Sequence, residues 1–163
     1  ACFNGLYRVN SKNEFNVPFG KKEKVNTYDG GNLITVSNYL TMNDIKILSV
    51  DFEEAVKDAK KGDFVYFDPP YRPLNATSAF TSYNEVVFTD CNQEELAEYI
   101  NMLNERKAKI LLSNSDPKNH NEEDNFFDDL YANYNIKRIE ASRMINSKSS
   151  GRGKIKELLI SNF

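Results

Sequence analysis

The spacing of apolar residues changes period along the chain, and each change marks an element. KILSVD (46–51) alternates apolar and polar positions and predicts a strand. FVYF (64–67) is an unbroken apolar run of strand length, and AKILLSNS (108–115) is a largely apolar one that ends in polar residues. Such runs predict strands buried on both faces, as in a parallel sheet. IKRIEASR (136–143) and IKELLISNF (155–163) predict two more strands. Between these segments the period lengthens. DFEEAVKDAK (51–60) carries Phe52, Ala55, Val56 and Ala59 at helical spacing, and Lys61-Gly62-Asp63 stops it. CNQEELAEYINMLNERK (91–107) lines up Leu96, Tyr99, Ile100 and Leu103 as one apolar stripe. NEEDNFFDDLYANY (121–134) predicts a further helix and TVSNYLTMNDI (35–45) a short one. Residues 71–91 and the basic MINSKSSGRGK (144–154) have no period and predict loops.

From residue 46 the order is β-α-β-loop-α-β-α-β-loop-β. Strands alternating with helices predict an α/β fold with a mostly parallel sheet covered on both faces. The last two strands have no helix between them and are expected to pair antiparallel at one edge. Residues 1–45 lack a clean period; GLYRVNSKNEFNVPFG (5–20) fits a hairpin turning near residues 11–13, or an ordered loop. The expected division is therefore 1–45 and 46–163.

Composition narrows the classes. Of the 163 residues 40% are apolar, with 11 Phe and 9 Tyr, so a packed core is expected rather than disorder. Cys2, Cys91 and the one histidine, His120, in a polar stretch, make no disulfide framework or metal pattern. Neither a membrane-length apolar run nor a signal peptide is present, so a reducing, cytoplasmic setting and no membrane partner are expected. The net charge of −3 hides two basic segments. Residues 1–25 carry five basic groups against two acids, and residues 137–157 carry seven against two. Either could be a solvated loop or an anion-facing surface.

The chemistry concentrates where FVYF stops, at Asp68-Pro69-Pro70-Tyr71. Ligands of open α/β sheets sit outside the carboxyl ends of the strands. Proline fixes φ and has no N–H, so the carbonyls here are held in place with few backbone donors nearby to compete for a ligand. A carboxylate and a fixed carbonyl are two acceptors, which suit an –NH2 group. The flat face of Tyr71 suits the ring that bears it. The set fits a flipped-out amino-base, stacked on Tyr71 with its amine held by Asp68 and the Pro69 carbonyl. Two accepted hydrogen bonds return electron density from the ring to the nitrogen and prepare it to attack an electrophile. An acid-capped Pro-Pro turn is the ordinary alternative for the tripeptide alone.

D-P-P-Y after a strand resembles the catalytic motif of amino-methylating DNA methyltransferases that use S-adenosyl-L-methionine. CFNGLYRVNSKNEFNVPFG, GDFVYFDPPYRPLNATSAFTSY, LLSNS and SSGRGKIKELLI resemble, in that order, segments of adenine-N6 methyltransferases of the GATC-modifying Dam and DpnM-like (D12) class. The resemblance implies an incomplete Rossmann-like methyltransferase sheet with a small N-terminal DNA-recognition segment. It implies catalytic roles for Asp68, Pro69, Pro70 and Tyr71, with Asp68 also near the methionine part of the cofactor. Asp51 and Phe52 become candidates to meet the cofactor's adenine, although Phe52 fits a core position equally well. Arg8, Asn10, Ser11 and Lys12 are implied to meet bases or phosphates of double-stranded DNA, and Lys21 and Lys22 phosphate. Arg143, Lys148 and Arg152 would track the backbone near the extruded base. Phe80 and Tyr83, in the loop after the motif, could add a second stacking face, with core packing slightly favoured. GATC rests on the resemblance alone.

The family also needs a Gly-rich cofactor loop of the form F-x-G-x-G after a first strand. None of the seven glycines follows a buried strand and opens a helix. The expectation is therefore the C-terminal part of a longer methyltransferase, whose N-terminal part would complete the cofactor site and without which the piece would be inactive. A non-catalytic DNA-binding module carrying a remnant of the motif is the alternative.

Overall fold

A computed structural model of the protein describes residues 9, 10, 12–17, 28–73, 88–142 and 154–163. The chain divides into two compact units, residues 1–49 and 50–163. In the first, Val9 and Phe15 form an antiparallel bridge around a turn in which Asn13 takes a φ of 61°. The turn falls where the hairpin alternative put it, closed by this one bridge among the described residues. Helix α1, Gly30–Met42, is longer than the short helix expected. The Asp29 side chain caps it by accepting from the Asn32 amide, and it buries no residue. The strand expected at 46–51 does not form. Alternation needs a paired neighbour to become a strand, and none is present among the described residues; Ile47 and Leu48 are exposed.

The second unit is a four-stranded sheet with helices on one face. Helix α2 (Phe52–Ala55) is a single turn, capped by Asp51, rather than the ten residues that its pattern predicts. Gly62, at φ 99°, makes the turn into strand β1, Phe64–Phe67. Helix α3, Asp90–Glu105, begins in a capping box between Thr89 and Asn92. Strand β2 (Lys109–Ser115) follows, then a 3₁₀ turn at Pro117–Asn119 and a short helix α4, Phe126–Leu130. Strands β3 (Asn135–Ser142) and β4 (Lys154–Ser161) complete the sheet, in the order β1-β2-β4-β3. The β1–β2 pair is parallel, whereas β4 runs antiparallel to both β2 and β3. The antiparallel edge pair was expected. The described sheet is nonetheless not mostly parallel.

Register explains the core. Val65 lies opposite Ile110, Phe67 opposite Leu112, Leu112 opposite Ile160, and Asn114 opposite Leu158. The apolar ones among them share one face and pack with Leu96, Ile100 and Leu103 of α3 and with Phe127 and Tyr131. Each fully buried side chain of this size contributes about 1.5–3 kcal/mol by leaving water. The other face carries the alternate residues. Phe64 is 57% exposed and Tyr66 52%, so β1 is buried on one side, not on both. The reason is that α3 and α4 cover the same side, and among the described residues β1 has a strand neighbour on one flank only.

One buried group lacks a partner. The Tyr131 hydroxyl finds no hydrogen bond among the described residues, and burial pushes its phenol well above the usual value. Tyr131→Phe is therefore expected to raise stability by about 1 kcal/mol in denaturant unfolding. A clear loss instead would mean that the hydroxyl is satisfied.

Candidate active site

Strand β1 delivers Asp68 to the carboxyl end of the sheet, and the next strand holds it there. The Ser113 hydroxyl of β2 donates to Oδ1 of Asp68 at 2.8 Å. The Tyr66 hydroxyl in turn donates to Ser113 Oγ at 2.9 Å. Oδ2 of Asp68 has no partner among the described residues, and the residue is exposed. The two proline carbonyls differ. That of Pro70 accepts from the Gln93 side chain at 3.1 Å, whereas that of Pro69 takes no bond among the described residues. Tyr71 is 37% exposed. Burial raises its phenol above the ordinary value, and a contact with Ser113 partly opposes this.

Arg72 fastens the far end of the motif. Its guanidinium forks onto Asp90 at 2.8 and 2.9 Å, reaches Asp124 at 2.8 Å and lies 4.4 Å from the centre of the Phe126 ring. Its amide donates to Asn114 Oδ1, and its carbonyl accepts from Ser115. Burial pushes the Asp124 carboxyl up, but the hydrogen bonds from Arg72 and the Phe126 amide, with the charges of Arg72 and Lys118, together outweigh it and hold the group below the usual carboxylate range. The fork to Asp90 is the main reason that the guanidinium itself binds its proton more tightly than usual.

Beside Asp68 opens a cleft of about 280 Å³, lined by Phe52, Val56, Phe67, Pro69, Pro70 and Phe88 among others. Phe52 meets Phe67 and Tyr99 edge to face, so it serves the core and the cleft wall together. Asp51 does not line that cleft. Its carboxylate caps α2 and borders a separate depression of mixed charge with Glu53, Glu54, Lys57 and Arg106.

The sequence candidates thus separate into groups. Asp68, Pro69, Pro70, Tyr71 and Phe52 lie together. In the first unit, Asn10 organises the hairpin turn: its Oδ1 accepts from the amides of Lys12 and Glu14, and its amide group donates to Glu14. Lys12 is exposed. Arg8, Ser11, Lys21, Lys22, Phe80, Tyr83, Arg143, Lys148 and Arg152 lie outside the described residues. Ser113, Asn114, Gln93 and Arg72 were not among the candidates. The one sign of them was the polar SNS that ends an otherwise apolar strand. Among the described residues no cluster of acids, His and Cys could hold a metal ion, and no helix is long and apolar enough to cross a membrane.

A mixed α/β sheet whose strand β1 ends at acceptors without partners among the described residues, beside an apolar cleft, is consistent with a methyltransferase fold. The chain belongs to the D12 class N6 adenine-specific DNA methyltransferase family, whose model matches residues 1–145. It is 47% identical over 161 residues to the type II methyltransferase M1.LlaDCHI of Lactococcus lactis subsp. cremoris, covering 99% of this chain and 54% of that protein. Identity to the type II methyltransferase M.MjaIII of Methanocaldococcus jannaschii is 48% over 164 residues, 100% of this chain and 54% of the other. The DNA adenine methylase of Haemophilus influenzae is 35% identical over 158 residues, which is 96% of this chain and 52% of its own. The chain spans about half the length of these relatives.

Proposed function

We propose that the chain is the C-terminal part of a site-specific DNA methyltransferase. The complete protein would move a methyl group from S-adenosyl-L-methionine to N6 of an adenine extruded from double-stranded DNA, with GATC as its target. The observation that carries this reading is the pair of open acceptors at the end of β1: Asp68 Oδ2 and the Pro69 carbonyl, next to the half-exposed ring of Tyr71. An aromatic amine is a poor nucleophile because its lone pair is delocalised. Two acceptors on its hydrogens draw the nitrogen toward tetrahedral geometry and restore the lone pair. Prolines add rigidity, so these acceptors are aimed before the base arrives. Tyr71 offers its face to the base, replacing part of the stacking lost on extrusion.

The described residues fit part of the cofactor. Phe52 and the Pro69–Pro70 wall suit its ring and aliphatic portions, and Asp68 suits its ammonium group. When bound, S-adenosyl-L-methionine supplies an electrophilic methyl carbon. The uncovered face of β1 and the absence of a Gly-rich loop support a further, N-terminal segment of the same polypeptide completing that site. Asp51 keeps a second-rank place there. On the DNA side, the hairpin and its exposed Lys12 support recognition by the first unit, where Asn10 acts by shaping the turn. The same role extends to Arg8, Ser11, Lys21 and Lys22, and phosphate contact to Arg143, Lys148 and Arg152. A cytoplasmic setting, in a bacterium or from a phage, suits this substrate.

The test is methyl transfer from labelled S-adenosyl-L-methionine to GATC-containing duplex by the chain extended to the length of its relatives. N6-methyladenine is the expected product. Label in cytosine, or none, would contradict the reading.

A further inference from the structure

Consecutive residues of a strand point to opposite faces, and β2 uses this to grip the motif from two sides. On the open face Tyr66 holds Ser113, and Ser113 holds Oδ1 of Asp68. On the packed face Asn114, fully buried, donates to Gln93 Oε1 at 3.1 Å, and Gln93, also fully buried, donates to the Pro70 carbonyl. Asn114 also accepts from the Arg72 amide. The consequence is selective. One oxygen of Asp68 and one proline carbonyl are occupied by the scaffold, while the other oxygen and the other carbonyl have no partner among the described residues.

We propose that Ser113 is a positioning residue for the methyl-transfer reaction: oriented by Tyr66, it fixes the rotation of the Asp68 carboxylate so that Oδ2 faces the target amine. Gln93 and Asn114 perform the matching service for the prolines, by engaging the Pro70 carbonyl and leaving that of Pro69 to the ligand. Ser113 need not touch the base. Its hydroxyl has one proton and two acceptors in reach, Asp68 Oδ1 at 2.8 Å and the Phe67 carbonyl at 3.5 Å; the shorter contact is to Asp68, and Tyr66 supplies the donor that Ser113 accepts. This chain of two bonds removes the carboxylate's rotational freedom, which a solvent-exposed aspartate otherwise keeps. The inference rests on the proposed methyltransferase reading.

The experiment uses the full-length polypeptide. Ser113→Ala is expected to lower kcat about 100-fold, the scale of a misaimed group, with KM for DNA and for S-adenosyl-L-methionine within about twofold. Ser113→Thr keeps the hydroxyl and is expected to restore most of kcat. Tyr66→Phe keeps Ser113 but releases its orientation, and an intermediate loss of about tenfold is expected. Extrusion of the target, read by the fluorescence of 2-aminopurine at that position, is expected to be unchanged in all three. Full activity in Ser113→Ala would overturn the proposal, as would a loss that Thr does not restore or that appears equally in KM and thermal stability. Should Asp68→Ala itself leave methyl transfer intact, the underlying reading fails and this inference falls with it. A dead Asp68→Ala with an active Ser113→Ala sinks the inference alone.

Discussion

Asp68→Ala in the full-length polypeptide is expected to abolish methyl transfer while leaving duplex binding nearly intact. Two acceptors are required to activate the amine, and Asp68 is the charged one. Losing a preorganised group aimed at developing charge costs about 10²–10³ in kcat at related sites. Here the loss is expected at the upper end or beyond, because Asp68 also faces the cleft assigned to the cofactor's ammonium group. Affinity for DNA depends mainly on phosphate contacts, and removing a carboxylate takes none of those away. The expected change in duplex Kd is less than about threefold, and its direction is toward tighter binding, since one negative charge leaves the DNA-facing end. The fold is not expected to suffer: Asp68 is exposed, and its one described partner, Ser113, also accepts from Tyr66. Methylation rates and duplex Kd measured on the same preparation check both halves. Equal loss of binding and turnover would favour a DNA-binding module with an incidental motif.

The second large effect concerns completeness. Calorimetric titration of S-adenosyl-L-methionine is expected to give a Kd at least about 100-fold weaker for the 163-residue chain than for the chain extended at its N-terminus. The reason lies in the wall count. The cleft beside Asp68 is lined by residues of α2, α3 and β1, by Phe88 and by the prolines. Across the sheet Phe64 and Tyr66 stand exposed, with Leu111 and Leu159 half-buried. An apolar face of this kind ordinarily packs against another layer. A cofactor contacted from one side forfeits about half its burial. A loop of closely approaching backbone, which glycines permit, is also missing from the sequence. Restoring about 2.7 kcal/mol through the added segment corresponds to that factor of 100. Equal affinity for the two lengths would overturn this.

Much of the second unit was legible because its signals are local. The Leu96–Leu103 stripe and the largely apolar AKILLSNS each specify an element from a few neighbouring residues, and each is found where its pattern puts it. The misread segments depended on partners elsewhere. KILSVD alternates, but a strand is made by pairing, and no pair is present among the described residues. FVYF looked buried on both faces because apolar composition does not say which faces are covered; Phe64 and Tyr66 lie on the face away from α3 and are exposed. The site divides in the same way. Asp68 and the prolines were readable from the chemistry of four adjacent residues. Gln93 and Ser113 were not, because they approach the motif from 23 and 45 positions away, and no local pattern marks a glutamine in a helix as the partner of a distant carbonyl. Asn10 adds a structural part that the sequence did not announce: its side chain also holds the hairpin turn.

The measurement that goes most directly to the grip on the amine is the position of the extruded adenine in a complex of the full-length polypeptide with GATC duplex and S-adenosylhomocysteine. Target N6 is expected within about 2.7–3.2 Å of both Asp68 Oδ2 and the Pro69 carbonyl oxygen, with the base stacked on Tyr71. An adenine whose N6 meets neither oxygen, or meets the Pro70 carbonyl in place of Gln93, would contradict it.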